Sequence, residues 1–169
     1  MTGDKAAFSK LVWRYKDHIV NIAFGIVGDA RDAEDIAQEA FLKAFLSIKR
    51  LANSKAFYRW LVRITVNLSI DKKTANSLRW AKPLETALPL ASSTQSPEKI
   101  AEQREQQKLL LGALNRLTLE QRTVLILREF QDLSYEEIAL ILTIPLGTVK
   151  SRINAARSRL YDILAPERL

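Results

Sequence analysis

Near the end of the chain, Lys150, Ser151, Asn154, Arg157 and Ser158 recur at intervals that could bring them onto one side of a helix. If Val149, Ile153, Ala156 and Leu160 face a core, these polar side chains share the outward side, because residues three and four apart lie above one another. Their types suit base-pair edges in a major groove: Lys and Arg donate to guanine, Asn pairs with adenine, and Ser serves either. Arg152 and Arg159 flank the row and suit phosphates, which fix position rather than sequence. The same residues would also make a solvated face on an ordinary bundle helix, so the surrounding elements must decide.

Those elements favour the groove. Ser134-Tyr135-Glu136-Glu137 has the form of a capping box, in which the Ser and Glu side chains satisfy backbone donors that a helix start leaves over. Ile138, Ala139 and Leu142 then give a short apolar face, and Thr143 to Gly147 makes a break holding Pro145 and Gly147. A short helix, a tight break and a basic helix from about Leu146 together predict a helix-turn-helix. Ser134 and Tyr135 open the first of these helices, where backbone N–H groups can meet a phosphate. Thr118-Leu119-Glu120-Gln121 repeats the capping-box form and predicts another helix start.

Earlier in the chain the charge has the opposite sign. Asp29, Asp32, Glu34, Asp35 and Glu39 face only Arg31, whereas Lys150, Arg152, Arg157 and Arg159 run without an acid. Asp29 suits the N-cap of a helix after Gly28, with the stripe Ala33, Ile36, Ala37, Ala40, Phe41, Ala44, Phe45 and Ile48 as its inner face. With Ile36, Ala40, Phe41 and Ala44 buried, Asp35, Gln38, Glu39 and Leu42 gather at i, i+3, i+4 and i+7 on the other side. Acids around one exposed leucine suit a basic protein groove better than DNA.

Apolar residues from Phe8 to Ile26 predict one or two amphipathic helices, and Phe57, Trp60, Leu61, Ile64 and Leu68 predict a further one, with Ser54 before it as N-cap. Tyr58, Arg59 and Arg63 lie off that stripe and, with Lys72, Lys73 and Arg79, form a basic track suited to a single strand. Residues 83–97 hold Pro83, Pro89 and Pro97 with Ser92-Ser93-Thr94, and read as a linker. Fully extended it reaches about 50 Å. Helix resumes over Ile100 to Leu117.

Composition agrees. The 169 residues carry only five Gly and five Pro, so the expected fold class is all-α: two small helical domains joined by a flexible linker, the second a four-helix domain with the helix-turn-helix. A net charge of +7 points to an anionic partner. Without cysteine, disulfide scaffolds and thiolate metal sites are excluded, and no apolar run approaches the roughly 20 residues that span a bilayer. A soluble cytoplasmic protein is expected. Enzyme chemistry finds little support: His18 sits in an amphipathic stretch, and neither a phosphate-cradling glycine loop nor a metal-ligand spacing occurs, so neither cofactor nor metal is expected.

Three segments carry a family resemblance. Residues 28–45, Gly28-Asp29-Ala30-Arg31-Asp32-Ala33-Glu34-Asp35-Ile36-Ala37-Gln38-Glu39-Ala40-Phe41-Leu42-Lys43-Ala44-Phe45, closely resemble the polymerase-binding helix of extracytoplasmic-function (ECF) sigma factors of the sigma-70 family. The stretch from Phe57 to Asp71 resembles their promoter-melting helix, and Leu133 to Ala139 followed by Gly147 to Arg152 resembles their second DNA-binding domain. The resemblance implies region 2 over residues 1–80, a linker over 81–97 and region 4 over 98–169.

It further implies that Asp35, Gln38, Glu39 and Leu42 grip the beta-prime clamp helices of core RNA polymerase, with the beta flap as a second contact. Minus-ten DNA would meet Asn53, Ser54, Lys55, Tyr58, Arg59, Arg63, Asn67, Asp71 and Lys72, the loop at 53–55 capturing an unstacked base. Flipping that base costs a few kcal/mol, so the loop would open the duplex and read it together. Minus-thirty-five DNA would meet Ser134, Tyr135, Thr148, Lys150, Ser151, Arg152, Asn154 and Arg157. Such a protein is a monomer when free, is commonly restrained by an anti-sigma factor, and acts in stress responses. Two departures stand out: Ala155-Ala156 replaces an arginine often found first in that pair, implying one missing contact, and the lead-in helix that usually precedes Gly3-Asp4 is missing or truncated. The alternatives are a freestanding helix-turn-helix regulator and a protein-interaction adaptor.

Overall fold

A computed structural model describes residues 2–48, 56–78 and 97–165. Among them every regular element is helical: α1 (Thr2–Val27), α2 (Ala30–Ser47), α3 (Phe57–Leu78), α4 (Pro97–Asn115), α5 (Leu119–Leu125), α6 (Tyr135–Leu142) and α7 (Leu146–Leu164). The Phe8–Ile26 pattern is thus part of one long helix, and α4 begins and ends slightly before the predicted span. A π-helical turn, Ile126–Phe130, continues α5.

α1, α2 and α3 pack on one another as the first domain. Ile19, Ile22, Ala23 and Ile26 bury one stripe of α1, and α2 meets it with Ala33, Ile36, Ala37, Ala40, Phe41 and Ala44. The α1–α2 junction is cut by Gly28, whose φ of +79° lets its N–H reach Phe24 O at 2.7 Å. Asp29 then caps α2, its Oδ1 accepting from Asp32 N at 2.8 Å. The buried face of α3 departs from the predicted stripe. Phe57 and Leu61 are buried as expected, but Val62, Thr65, Val66 and Ser69 join them while Trp60, Ile64 and Leu68 remain partly exposed. Thr65 and Ser69 enter the core because their hydroxyls donate back to Leu61 O at 2.9 Å and Thr65 O at 2.8 Å, leaving no orphaned polar atom.

The second domain has both capping boxes. Thr118 exchanges bonds with Gln121, and Ser134 exchanges bonds with Glu137. α6 ends at Thr143 with φ +56°, a left-handed conformation that is uncommon for a β-branched residue, and this tight reversal leads into α7 through Pro145. Val149, Ile153, Ala156 and Ile163 bury the inner face of α7. The four helices α4 to α7 match the expected helix-turn-helix domain.

The two domains touch. α1 meets α5 and the π turn, and α3 meets α6. Leu111 of α4 lies in a buried cluster with Phe24, Val27 and Ile36. At Gly25 the approach is so close that an added Cβ would stand 2.6 Å from Ile126 Cδ1. Arg122, only 3% exposed, donates from Nε to Leu114 O at 2.8 Å in its own domain and from Nη1 to Ile26 O at 3.0 Å across the junction.

Replacing Gly28 by Ala forces a side chain into the left-handed region and places its Cβ 3.1 Å from Asn115 Oδ1. The substitution should lower unfolding free energy by about 1–2 kcal/mol. Urea denaturation followed by circular dichroism measures it, and an unchanged midpoint would contradict the turn described above.

Candidate nucleic-acid interface

On α7 the buried row leaves Lys150, Ser151, Asn154, Arg157 and Ser158 exposed together, with Arg152 half-buried beside them. This is the predicted face, turned outward. Ser151 Oγ donates to Thr148 O at 3.0 Å, which anchors the first turn of the helix. Arg157 is partly engaged: its Nε donates to Glu129 Oε1 at 3.0 Å, and Nη2 reaches the same oxygen. The pair is about half exposed on each side, so it costs little to exchange for a DNA acceptor. Arg152 lies near enough to Glu120 to help draw that carboxyl below its usual pKa, behind the larger effects of Glu120's own backbone and of Thr118.

The start of α6 carries the expected capping box. Its capping box consumes the N–H groups of Ser134, at 2.9 Å from Glu137 Oε2, and of Glu137, at 3.1 Å from Ser134 Oγ. Only the N–H groups of Tyr135 and Glu136 are left for a phosphate in that first turn. Tyr135 instead offers its ring to Arg128, whose guanidinium sits 5.4 Å from the centroid.

The α2 face is also as expected: Asp35, Gln38, Glu39 and Leu42 are all exposed, with Leu42 at 58%. Glu39 is held by Lys43 at 2.9 Å one turn on. Asp32 is set apart from this face, because it ties α2 to α3 through Lys72 Nζ at 3.0 Å and Asn76 Nδ2 at 2.9 Å. Sequence reading missed Leu46, 72% exposed, which extends the row at i+4 from Leu42. The same four-residue spacing that found Leu42 could have found it. Trp13, 85% exposed on α1, was also missed, and no periodicity signalled it.

The α3 residues are the most altered by the fold. Asn53, Ser54, Lys55 and Arg79 lie outside the described residues. Asn67 and Asp71 are exposed, and Lys72 is committed to Asp32. Lys73 turns away from any DNA track: its Nζ donates to Val27 O at 2.8 Å, and burial, then the nearby Arg122, lower its pKa. Tyr58, Arg59 and Arg63 all face the second domain. Tyr58 Oη donates to Gln131 Oε1 at 2.7 Å, Arg59 Nη1 to Glu137 Oε1 at 3.2 Å, and Arg63 Nη2 to Thr143 Oγ1 at 3.2 Å. Burial, seconded by Tyr15, raises the pKa of the Tyr58 phenol. The exposed His18 meets the Tyr58 ring edge-on, with 6.3 Å between ring centroids.

A cleft of about 1010 Å³ opens where the domains meet. Val20, Phe24, Phe41, Leu110, Leu114 and Ile126 give it an apolar wall, and Gln38 of the α2 face stands at its rim. Among the described residues no carboxylate or histidine cluster could hold a metal, and no helix is long and apolar enough to cross a membrane.

Comparison with known proteins identifies the family. The family model for Sigma-70 region 2 matches residues 11–79 and that for Sigma-70, region 4, matches residues 107–160. The RNA polymerase sigma-H factor of Pseudomonas aeruginosa is 36% identical over 97% of this chain and 89% of its own length. The ECF RNA polymerase sigma factor SigW of Bacillus subtilis is 35% identical over 94% of this chain and 89% of its own. Among solved structures, the sigma factor RpoE in complex with the anti-sigma factor NepR from Bartonella quintana is similar in fold, with a TM-score of 0.75 at 24% identity, covering 94% of this chain and 97% of that one. CnrH in complex with the cytosolic domain of CnrY gives a TM-score of 0.71 at 22% identity, covering 98% and 92%. Both regions in their proper order, with relatives above 30% identity along nearly the whole length, establish that this chain belongs to the ECF group of the sigma-70 family of RNA polymerase sigma factors.

Proposed function

We propose that the chain joins core RNA polymerase and directs it to promoters, reading the minus-ten element with residues 1–80 and the minus-thirty-five element with residues 98–169, across a linker at 81–97. The observation that carries this reading is one molecule with two exposed faces of opposite chemistry. Asp35, Gln38, Glu39 and Leu42 on α2 suit a basic protein partner, and Lys150, Ser151, Asn154 and Arg157 on α7 suit a groove of duplex DNA.

On α2 we extend the polymerase contact to Leu46, whose exposed side chain continues the apolar part of the row. On α7 the side chains at 150, 151 and 154 supply base readout, Arg152 and Thr148 supply backbone contacts, and Arg157 leaves Glu129 to reach DNA. Ser134 and Tyr135 act by fixing the start of α6. Minus-ten DNA is met by the 53–55 loop and by Tyr58, Arg59, Arg63, Asn67 and Asp71, with Lys72 nearby. The role is regulatory, with no reaction of its own, and the setting is the cytoplasm. The chain alone does not melt DNA.

An anti-sigma partner fits the same geometry. One structure similar in fold is a sigma factor in complex with an anti-sigma factor. A segment lodged in the interdomain cleft would cover Gln38 and so compete with core polymerase for the α2 face.

Two measurements test the proposal. Purified core polymerase should retain the chain in a pull-down, and Asp35→Arg combined with Gln38→Ala should abolish retention while leaving the circular dichroism melt unchanged; failure of the unaltered chain to be retained would favour a freestanding regulator. In transcription by the reconstituted holoenzyme on fragmented genomic DNA, changing Lys150, Ser151 and Asn154 to Ala should weaken use of the upstream element. Each lost base contact should cost about 1–3 kcal/mol, with core retention intact. An unchanged promoter preference would remove α7 from the recognition role.

A further inference from the structure

The cations of α7 are not equally free. Among the described residues Lys150 and Arg159 have no ion-pair partner, whereas Arg157 donates from Nε at 3.0 Å, and also from Nη2, to a single oxygen of Glu129. Glu129 comes to that place through the π turn Ile126–Phe130. Ile126 and Leu127 stay buried there while Glu129 emerges exposed against α7, 28 residues further along the chain. Such turns are rare interruptions of regular helix and recur at functional sites. Tyr135 completes the group from the start of α6. Its ring lies 5.4 Å from the Arg128 guanidinium, which is itself fixed by donating to Leu133 O at 2.9 Å. The Glu129 hydrogen bond above all raises the pKa of Arg157, and the Tyr135 phenol lies near enough to add to it.

An unpaired arginine beside a groove is drawn to any phosphate, and phosphates are alike on every sequence. With its charge answered by Glu129, Arg157 adds little to that general attraction. To bind DNA it must exchange one oxyanion for another and leave a bare carboxylate facing the phosphate backbone, so the exchange gains little until α7 is already in place. Lys150 and Arg157 stand seven residues apart, about 10 Å along the helix axis, against a major groove about 12 Å wide. When Lys150, Ser151 and Asn154 seat on base pairs, Arg157 is thereby brought to the groove wall.

We propose that Glu129, with Tyr135 beside it, is a specificity-determining residue for the minus-thirty-five element: it withholds Arg157 from DNA of arbitrary sequence and yields it once the Lys150–Asn154 part of α7 has seated on matching base pairs. The inference rests on the reading of α7 given above. Arg157 is 48% exposed and Glu129 43%, so the pair opens readily and its influence is a few-fold rather than all-or-none. Glu129 touches no DNA in this scheme. It acts through Arg157, as a positioning residue that makes one phosphate contact conditional on base readout.

Holoenzymes reconstituted with the full-length chain test this on two templates: a promoter recovered from the genomic fragments, and a twin whose minus-thirty-five element is shuffled. The ratio of transcripts from the two measures discrimination. Glu129→Gln should lower that ratio by about threefold, the worth of an exposed ion pair, chiefly by raising transcription from the shuffled twin. On that twin the decline of binding with KCl should steepen by about one unit of log–log slope, the mark of one more phosphate neutralised. In an Arg157→Gln background, Glu129→Gln should change neither quantity.

An unaltered chain with no preference for the intact element overturns the α7 reading and the proposal with it. A preference that Glu129→Gln leaves unchanged or increases overturns the proposal alone, and so does an effect of Glu129→Gln that persists without Arg157. Where Glu129→Gln melts below the unaltered chain, Glu129→Asp decides. It keeps the charge but is one methylene too short to hold Arg157 in place, and an unchanged ratio rejects the proposal.

Discussion

The C-terminal end of α1 is the point on which the packed molecule depends. A helix ends with carbonyls that have no partner inside it, and an end inside a protein must find donors elsewhere. Here Gly28 turns its own N–H back to Phe24, Lys73 of α3 reaches Val27 O, and Arg122 of α5 reaches Ile26 O. Two cations from distant parts of the chain thus converge on the negative end of one helix dipole. Their mutual repulsion lowers the pKa of Lys73 further than burial alone would. Arg122 meets carbonyls where a carboxylate is the more usual partner of a buried cation, so it can be withdrawn to water without abandoning an opposite charge.

From that anchor the working faces follow. α2 is held against α1 by alanines, which let the two helices approach closely and aim the acid and leucine row outward. α7 is held by Val149, Ile153 and Ala156, which aim the basic row outward at the far side of its own domain. α3 alone has a face that is both DNA-suited and covered. The α2 and α7 rows are open to solvent, whereas Tyr58, Arg59 and Arg63 of α3 are bonded to the second domain.

Much of this was legible in the residues. The capping boxes at Thr118 and Ser134 and the Gly28 turn with its Asp29 cap are local signals that formed where their spacing put them, and the apolar stripes of α2 and α7 formed in their central parts, with Phe45 exposed and Ile48 and Leu160 only partly buried. The buried face of α3 was less legible, because Thr65 and Ser69 look polar in sequence and are apolar in effect once their hydroxyls bond to the preceding turn. Arg122 gave no sign of burial, since a cation next to Thr123-Val124-Leu125 reads as a surface residue until its carbonyl partners, one of them 96 residues away, are known. The contacts of Tyr58, Arg59 and Arg63 span 73 to 80 residues, and no periodicity within α3 encodes them.

Glu137 has a consequence for how this sequence can drift. One oxygen completes the α6 cap and the other binds Arg59, so a single carboxylate answers to a local and a distant demand at once. Asp at 137 is a methylene too short to meet both, and Gln has only one acceptor oxygen to divide between them. Inheritance at this position is therefore pleiotropic: a neutral exchange for helix stability is not neutral for domain pairing, and the two traits can be uncoupled only by a compensating change at Ser134 or Arg59.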